Sequence, residues 1–95
     1  MHVITKKALV EFALGHSDSR EPLFAWFRVI SRSTFSNMAE LRQAFNSVDL
    51  VDGFHVFNIG GNRFRLVAAI HFNTGRVYVR HILTHAEYDK GGWKK

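Results

Sequence analysis

The sequence predicts an α+β fold in which two or three N-terminal helices pack on one face of a small antiparallel sheet, while the other face is basic. Apolar residues in the first half recur at helical spacing, and those in the second half alternate as they do in strands. Turn signals rich in glycine and asparagine separate the strand-like segments. The 95 residues contain no repeat or linker, so we expect one domain spanning residues 1–95.

The composition excludes several classes of protein. Cysteine is absent, which excludes disulfides and thiolate chemistry. No apolar run approaches the roughly 18 residues of a membrane span, and the N-terminus lacks the pattern of a secretory signal. Hydrophobic residues make up 46% of the chain and there is a single proline, which argues against disorder. We therefore expect a globular protein that resides in the cytoplasm and does not bind membranes.

The first half of the chain is expected to be helical after a short edge strand. Asn37 lies three residues before Glu40, and Asp18 three before Glu21, which is the spacing of a helix-capping box. Thr5 is a further candidate cap. The predicted elements are an edge strand at 2–4 and helices over 6–14, from residue 18 or 19 past Ile30, and over 38–45.

The second half is predicted to be a three-stranded meander over 54–59, 63–72 and 76–84. Asp52-Gly53 should close the helical half with a turn, and Gly60-Gly61 and Asn73-Thr74-Gly75 should connect the strands.

The strand register can be predicted from the alternation of apolar residues. With Thr74-Gly75 as a two-residue loop, Phe72 faces Val77 and Leu66 faces Leu83. The first hairpin pairs Phe57 with Phe64 in the same way, so that the apolar faces match. The opposite, solvated face then carries Asn58, Arg63, Arg65, His71, Tyr78 and Arg80. This register puts His85 on the apolar side opposite Phe64, unless the chain turns after Thr84.

The positive charge is concentrated in the last third of the chain. Residues 1–62 contain six basic and six acidic side chains, whereas residues 63–95 contain seven basic and two acidic ones. The whole net charge of +5 therefore comes from residues 63–95. Such a field attracts polyanions or an acidic protein partner, although a merely solubilising surface is an alternative.

Three arginines are expected to share the solvated face: Arg63 and Arg65 on one strand and Arg80 on the next. The planar guanidinium fork suits phosphate oxygens, and the rings of His71 and Tyr78 add stacking surfaces. Basic groups interleaved with aromatic rings on an open sheet are typical of proteins that bind single-stranded nucleic acid. The alternative is that these arginines only solvate the sheet.

The C-terminal tail is rich in groups that transfer protons or contact phosphate. Histidine serves as an acid or base near neutral pH, and tyrosine and lysine can donate to a leaving oxygen. The tail supplies His85, Glu87, Tyr88, Asp89 and Lys90. His81 and His85 share strand parity, but no recognised metal-binding spacing is present, so we expect no metal site and no cofactor.

Two motifs resemble the HigB toxin family. They are FNIGGNRFRL at 57–66 and LTHAEYDK at 83–90, and the chain start MHVIT and the Ala25-Trp26 pair fit as well. The resemblance covers nearly the whole chain. It implies a RelE-like fold and the toxin half of a type II toxin–antitoxin pair, which cleaves mRNA on translating ribosomes. The implied partner is a HigA-type helix-turn-helix antitoxin. The toxin would contact operon DNA only indirectly, through this antitoxin.

The resemblance also implies a metal-independent mechanism in which a ribose 2′-OH attacks the adjacent phosphorus. Arg65 and Arg80 would hold the phosphate with Arg63 nearby, and His85 or Tyr88 would transfer the proton. Lys90, Lys94 and Lys95 would contact RNA, the ribosome or the antitoxin. A basic module that binds RNA or the ribosome without catalysis is the alternative hypothesis.

Overall fold

The computed structural model describes residues 1–94 and confirms an α+β fold. Five strands form one sheet in the order β1-β5-β4-β3-β2, parallel between β1 and β5 and antiparallel elsewhere. The strands are β1 (His2–Val3), β2 (Asp49–Val51), β3 (Phe54–Ile59), β4 (Phe64–His71) and β5 (Arg76–Thr84). The helices are α1 (Lys6–Gly15), α2 (Arg20–Arg32), α3 (Met38–Ala44) and α4 (His85–Lys90), and short 3-10 turns occupy Ser17–Ser19 and Gly92–Lys94.

The main core lies between the first three helices and one face of the sheet. Leu23, Trp26 and Ile30 follow the helical period of α2 and are buried against the sheet. Trp26 meets Phe57 of β3 edge-on, with ring centroids 5.4 Å apart. The helices therefore cover the apolar sheet face, as the alternation predicts.

Of the predicted helix caps, the structure confirms only that of α3. The Asn37 side chain accepts a hydrogen bond from the backbone N–H of Glu40. Thr5 does not cap α1, since its hydroxyl accepts from the backbone N–H of Val79 at 2.8 Å and ties α1 to β5. The predicted Asp18 cap is also wrong, because that carboxylate pairs with Arg63.

The predicted three-stranded meander is incomplete, because the sheet gains a strand at each edge. His2–Val3 forms the expected edge strand, beside β5. The three-residue strand β2 was not predicted, and it pairs with β3 through a turn at Asp52-Gly53, both with positive φ. That turn therefore lies inside a hairpin and does not mark the end of the helical half.

The predicted strand register is wrong in both hairpins, because each connection has four residues. Phe57 lies opposite Leu66, and Ile70 lies opposite Val77. These shifts of two residues keep the apolar faces together. A bulge then leaves Arg80 without a partner between Val79 and His81.

The bulge reverses the alternation along the rest of β5. Beyond it, Ile82 lies opposite Leu66 and Leu83 lies opposite Arg65. His81 and Leu83 therefore share the sheet face of Arg65. Of the two alternatives for His85, the structure shows the second: Thr84 lies opposite Phe64, and the chain turns there into α4.

The second sheet face is only partly open, contrary to the sequence prediction. Trp93 folds over it and forms a small second core with Val56 and Val67. Only 7% of the Trp93 surface is exposed. Phe54, Leu83 and Tyr88 pack around this group. The segment that follows α4 thus packs on the sheet beside Arg65.

No helix within residues 1–94 is both long and apolar enough to span a membrane.

Stability is expected to fall in mild acid because of His55. This residue is buried in β3, meets Phe72 edge-on, and has no hydrogen-bond partner for its Nδ1 within residues 1–94. Burial lowers the pKa of His55 below its ordinary value. The unfolded chain therefore binds a proton that the folded chain resists, and the free energy of unfolding falls as the pH drops below about 6.5.

Urea unfolding of the wild type and His55→Leu between about pH 7.5 and 5 measures this effect. The substitution should remove part of the loss, because leucine has no proton to bind in either state. His71→Gln, a change at an exposed histidine, is the control and should retain the wild-type slope. Equal slopes for wild type and His55→Leu would contradict the prediction.

Candidate active site

The candidate site forms where β4, β5 and α4 meet. Thr84 and Glu87 make a complete capping box: the Thr84 hydroxyl accepts from the Glu87 backbone N–H, and the Glu87 carboxylate accepts from the Thr84 backbone N–H. The backbone N–H of His85 donates to the carbonyl of Arg63 at 2.9 Å. These bonds turn the chain sharply after β5 and place α4 beside the start of β4. We call the group of Asn62, Arg65, His85, Tyr88 and Asp89 the Arg65 site.

Arg65 is the centre of this site and is 8% exposed. Its Nη1 donates to the carbonyls of Asn62 and Phe64, at 3.3 and 3.2 Å. Its Nη2 donates to Asn62 Oδ1 at 3.0 Å and contacts His85 Nδ1 at 3.1 Å. The guanidinium is therefore held in one orientation by neutral acceptors. Its positive charge remains available to an anion, because no carboxylate within residues 1–94 neutralises it directly.

His85 lies between Arg65 and an acidic side chain. Its Nδ1 faces Arg65, and its Nε2 lies 3.0 Å from Asp89 Oδ2, one turn further along α4. The side chains of His85 and Asp89 are each about half exposed. The ring is thus fixed on both sides and remains open to solvent, as a proton-transfer group requires.

Tyr88 also contacts the guanidinium. Its ring centroid lies 5.6 Å from Arg65 Cζ, within the range of a cation–π contact. The same ring stacks on Trp93, which also donates from Nε1 to the Tyr88 carbonyl at 3.2 Å. Burial, reinforced by the nearby Asp49 carboxylate, raises the pKa of Tyr88 above its ordinary value. The hydroxyl therefore keeps its proton at neutral pH and can donate it.

Glu87, the other acidic residue of α4, serves the fold. Its hydrogen bonds to the Thr84 backbone and side chain lower the pKa of its carboxyl below the ordinary value. It is consequently charged at neutral pH and engaged in the cap.

The three arginines expected to converge on one face have three different environments. Only Arg65 joins His85 and Tyr88. Arg63 lies in the turn before β4 and pairs with Asp18 beside the helices, at 3.3 Å. Arg80 is the exposed bulge residue and lines a groove between β5 and α1 that also contains Phe12 and His16.

The basic residues of the tail lie next to the site as far as the structure describes them. Lys90 ends α4 and is exposed, and Lys94 Nζ lies 5.6 Å from the Trp93 ring centroid. Lys95 lies outside the described residues. Lys90 and Lys94 therefore give the Arg65 site a positive rim on its C-terminal side.

Sequence reasoning missed α4 and the contact of Asn62 with Arg65, and it named Asp89 among the tail candidates without its contact to His85. The signal for α4 was present, because Thr84 and Glu87 have the capping-box spacing. Asp89 then follows His85 by one helical turn. Within residues 1–94, histidine and acidic side chains form no group of three or more that could hold a metal ion.

The fold and site define a small basic α+β protein whose arginine, histidine and tyrosine side chains meet at one end of the sheet, where β4 begins and β5 ends. The pattern of the HigB_toxin family, described as the RelE-like toxic component of a toxin–antitoxin system, matches residues 19–91. The chain belongs to this family. As a toxin of such a system, it has an antitoxin as its partner.

Curated relatives agree with this assignment over nearly the full chain. The mRNA interferase toxin HigB of Escherichia coli K12 is 37% identical over 92 residues, which cover 94% of this chain and 88% of the relative. The mRNA interferase HigB of Shigella flexneri has the same identity and coverage. That of Escherichia coli O6:H1 is 38% identical over 93 residues, covering 95% and 90% of the two chains.

Proposed function

We propose that this toxin is an endoribonuclease that cleaves mRNA on translating ribosomes and so arrests translation and growth until its antitoxin neutralises it. Membership of the family and the mRNA interferase activity for which its relatives are named support mRNA as the substrate. The observation that carries the proposal is the Arg65 site. It combines a fixed cation, a proton acceptor and a protonated phenol at one end of the sheet, where the His85 side chain is about half exposed.

The chemistry we propose uses a nucleophile supplied by the RNA. The ribose 2′-hydroxyl gives its proton to His85 Nδ1, and its oxygen forms a bond to the adjacent phosphorus. The bond from phosphorus to the 5′-oxygen of the next nucleotide breaks, and Tyr88 donates its hydroxyl proton to that oxygen. The products are a 2′,3′-cyclic phosphate and a 5′-hydroxyl. His85 then returns its proton to the Tyr88 phenolate through solvent.

Arg65 would stabilise the charge that develops on the phosphorane. A guanidinium binds two phosphate oxygens at once, and a fixed donor acts more strongly than one that must reorient. Tyr88 enters the reaction with its proton in place, because the pKa of its phenol lies above an ordinary value that is itself well above neutral pH. No metal ion or cofactor enters these steps.

The other basic residues are assigned to binding. Lys90 and Lys94 flank the Arg65 site, and together with Lys95 they would contact the RNA backbone or ribosomal RNA. Arg63 would contribute to the same field. Arg80 would assist at the phosphate only if RNA also occupied the groove beside α1.

The biological setting is part of the same proposal. The partner would be a HigA-type helix-turn-helix antitoxin, and the toxin would meet DNA only through it. The toxin would act in the cytoplasm, where translating ribosomes are found.

Induced expression in a bacterial host without the antitoxin tests the proposed function. We expect growth to stop and new 5′ ends to accumulate inside reading frames, as measured by mapping the ends of cellular mRNA. Co-expression of the cognate antitoxin should restore growth. Normal growth with intact mRNA, at a verified level of folded toxin, would contradict the proposal.

One observation favours the alternative of a non-catalytic RNA-binding module. Arg65 is nearly buried and its hydrogen bonds are largely satisfied within the protein, as in a structural arginine. Under that alternative, removing Arg65 would weaken RNA binding only by an amount that falls with rising salt. Loss of cleavage with retained RNA binding would exclude it.

A further inference from the structure

The hydrogen bonds of Arg65 constrain how it can bind a phosphate. A guanidinium has five N–H hydrogens. The two on Nη1 are directed to the carbonyls of Asn62 and Phe64, and the two on Nη2 are directed to Asn62 Oδ1 and His85 Nδ1. Within residues 1–94, only the Nε hydrogen has no acceptor. A phosphate that takes two hydrogen bonds from Arg65 must therefore displace at least one of these four acceptors.

The same contacts determine which nitrogen of His85 carries the proton. Arginine can only donate, so His85 Nδ1 must be the acceptor of the 3.1 Å contact with Arg65 Nη2. A neutral imidazole then has its hydrogen on Nε2, and this nitrogen faces Asp89 Oδ2 at 3.0 Å. The carboxylate can only accept. Arg65 and Asp89 therefore favour the same tautomer from opposite sides of the ring.

We propose that Asp89 is a positioning residue for RNA cleavage, which holds His85 as the Nε2–H tautomer so that Nδ1 is the nitrogen that takes the 2′-hydroxyl proton. The inference rests on the proposed function. In the free toxin Nδ1 is covered by Arg65. When the RNA phosphate takes the Nη2 hydrogen from His85, Nδ1 is uncovered beside the same phosphate.

This arrangement couples substrate binding to the availability of the base. Once Nδ1 has accepted the 2′-hydroxyl proton, both ring nitrogens are donors and the ring is positively charged. Asp89 then stabilises that charge through a stronger, charge-assisted hydrogen bond. Without Asp89, no acceptor on the α4 side of the ring selects the Nε2–H tautomer. In a fraction of the molecules His85 would then carry its hydrogen on Nδ1, the nitrogen that has to accept the 2′-hydroxyl proton.

The test compares Asp89→Asn and Asp89→Ala with Glu87→Gln. The control removes a carboxylate from the same helix and retains the cap, because glutamine can accept the Thr84 N–H. Nitrogen-15 spectra of the His85 ring report the tautomer directly, and they are recorded in an Arg65→Ala background, because Arg65 alone would hold Nδ1 as the acceptor in the free toxin. In that background we expect Nε2–H with Asp89 in place or with Glu87→Gln, and a mixture of tautomers in both Asp89 variants.

The kinetic arm uses mRNA on programmed ribosomes. Both Asp89 variants should lower kcat by about 10-fold or more with little change in KM, since they affect the base and leave RNA binding intact. A wild type that cleaves, with Asp89→Asn and Glu87→Gln equal to it in kcat and tautomer, would overturn the inference alone. A folded wild type that does not cleave would overturn the proposed function itself.

Discussion

Arg65→Ala is expected to lower the rate of mRNA cleavage by roughly 100- to 1,000-fold, the effect of removing one fixed donor from a developing phosphorane or oxyanion. The substitution also leaves Asn62 Oδ1 and His85 Nδ1 without their shared donor. The measurement is single-turnover cleavage on ribosomes, together with growth after induction in a host without the antitoxin. The variant should permit growth at a toxin level that arrests it in wild type.

Two controls separate chemistry from charge and folding. Arg76→Ala removes the same charge from the exposed start of β5, where His71 is its strand partner, and should retain most of the activity. Arg65→Lys keeps the charge without the fork and should recover only part of the rate. If Arg65→Ala folds normally and cleaves as fast as Arg76→Ala, Arg65 is not in the active site.

Trp93→Ala is expected to destabilise the fold by about 3 kcal/mol, the lower end of the range for deleting a buried tryptophan. This end applies because the second core is small and Trp93 lies near the C-terminus. Trp93 packs with Val56 and Val67 and stacks directly on Tyr88. Its loss should therefore lower cleavage as well as stability.

Trp93→Phe is the matched variant, because it keeps an aromatic ring beside Tyr88 while it loses the hydrogen bond to the Tyr88 carbonyl and the second ring of the indole. We expect a cost of about 1 to 2 kcal/mol and nearly full activity. Urea unfolding and ribosome-dependent cleavage measure the two effects. Unchanged stability and cleavage in Trp93→Ala would show that the C-terminal segment does not organise the site.

The fold class was predictable because each apolar pattern serves one core. Leu23, Trp26 and Ile30 recur at the helical period, and Leu66 and Ala68 alternate in β4, so the pattern identifies the buried face without knowledge of the register. The four-residue connections shift each hairpin by two residues and leave this parity intact. The strand register depends on the geometry of the turns. The alternation of apolar residues fits a two-residue connection and a four-residue connection equally well, because both place the same side chains on the same face.

The site was only partly predictable. Arg65, His85 and Tyr88 were expected from their chemistry and from the family motifs. Their contact depends on the bulge at Arg80, which reverses the alternation of side chains along the end of β5. No local sequence pattern predicts this bulge. The separation of Arg63 from Arg65 follows from the pairing of Arg63 with Asp18, 45 residues away in sequence. Such long-range pairs are invisible to an analysis of one sequence.

The chemistry of the cut ends tests the central claim most directly. Short mRNA cleaved by the toxin on programmed ribosomes is recovered, and the two new termini are identified. The account predicts a 2′,3′-cyclic phosphate on one fragment and, on the other, a 5′-hydroxyl that a polynucleotide kinase labels without prior phosphatase treatment. A 3′-hydroxyl with a 5′-phosphate would contradict it, because a water molecule and not the ribose 2′-oxygen would then be the nucleophile.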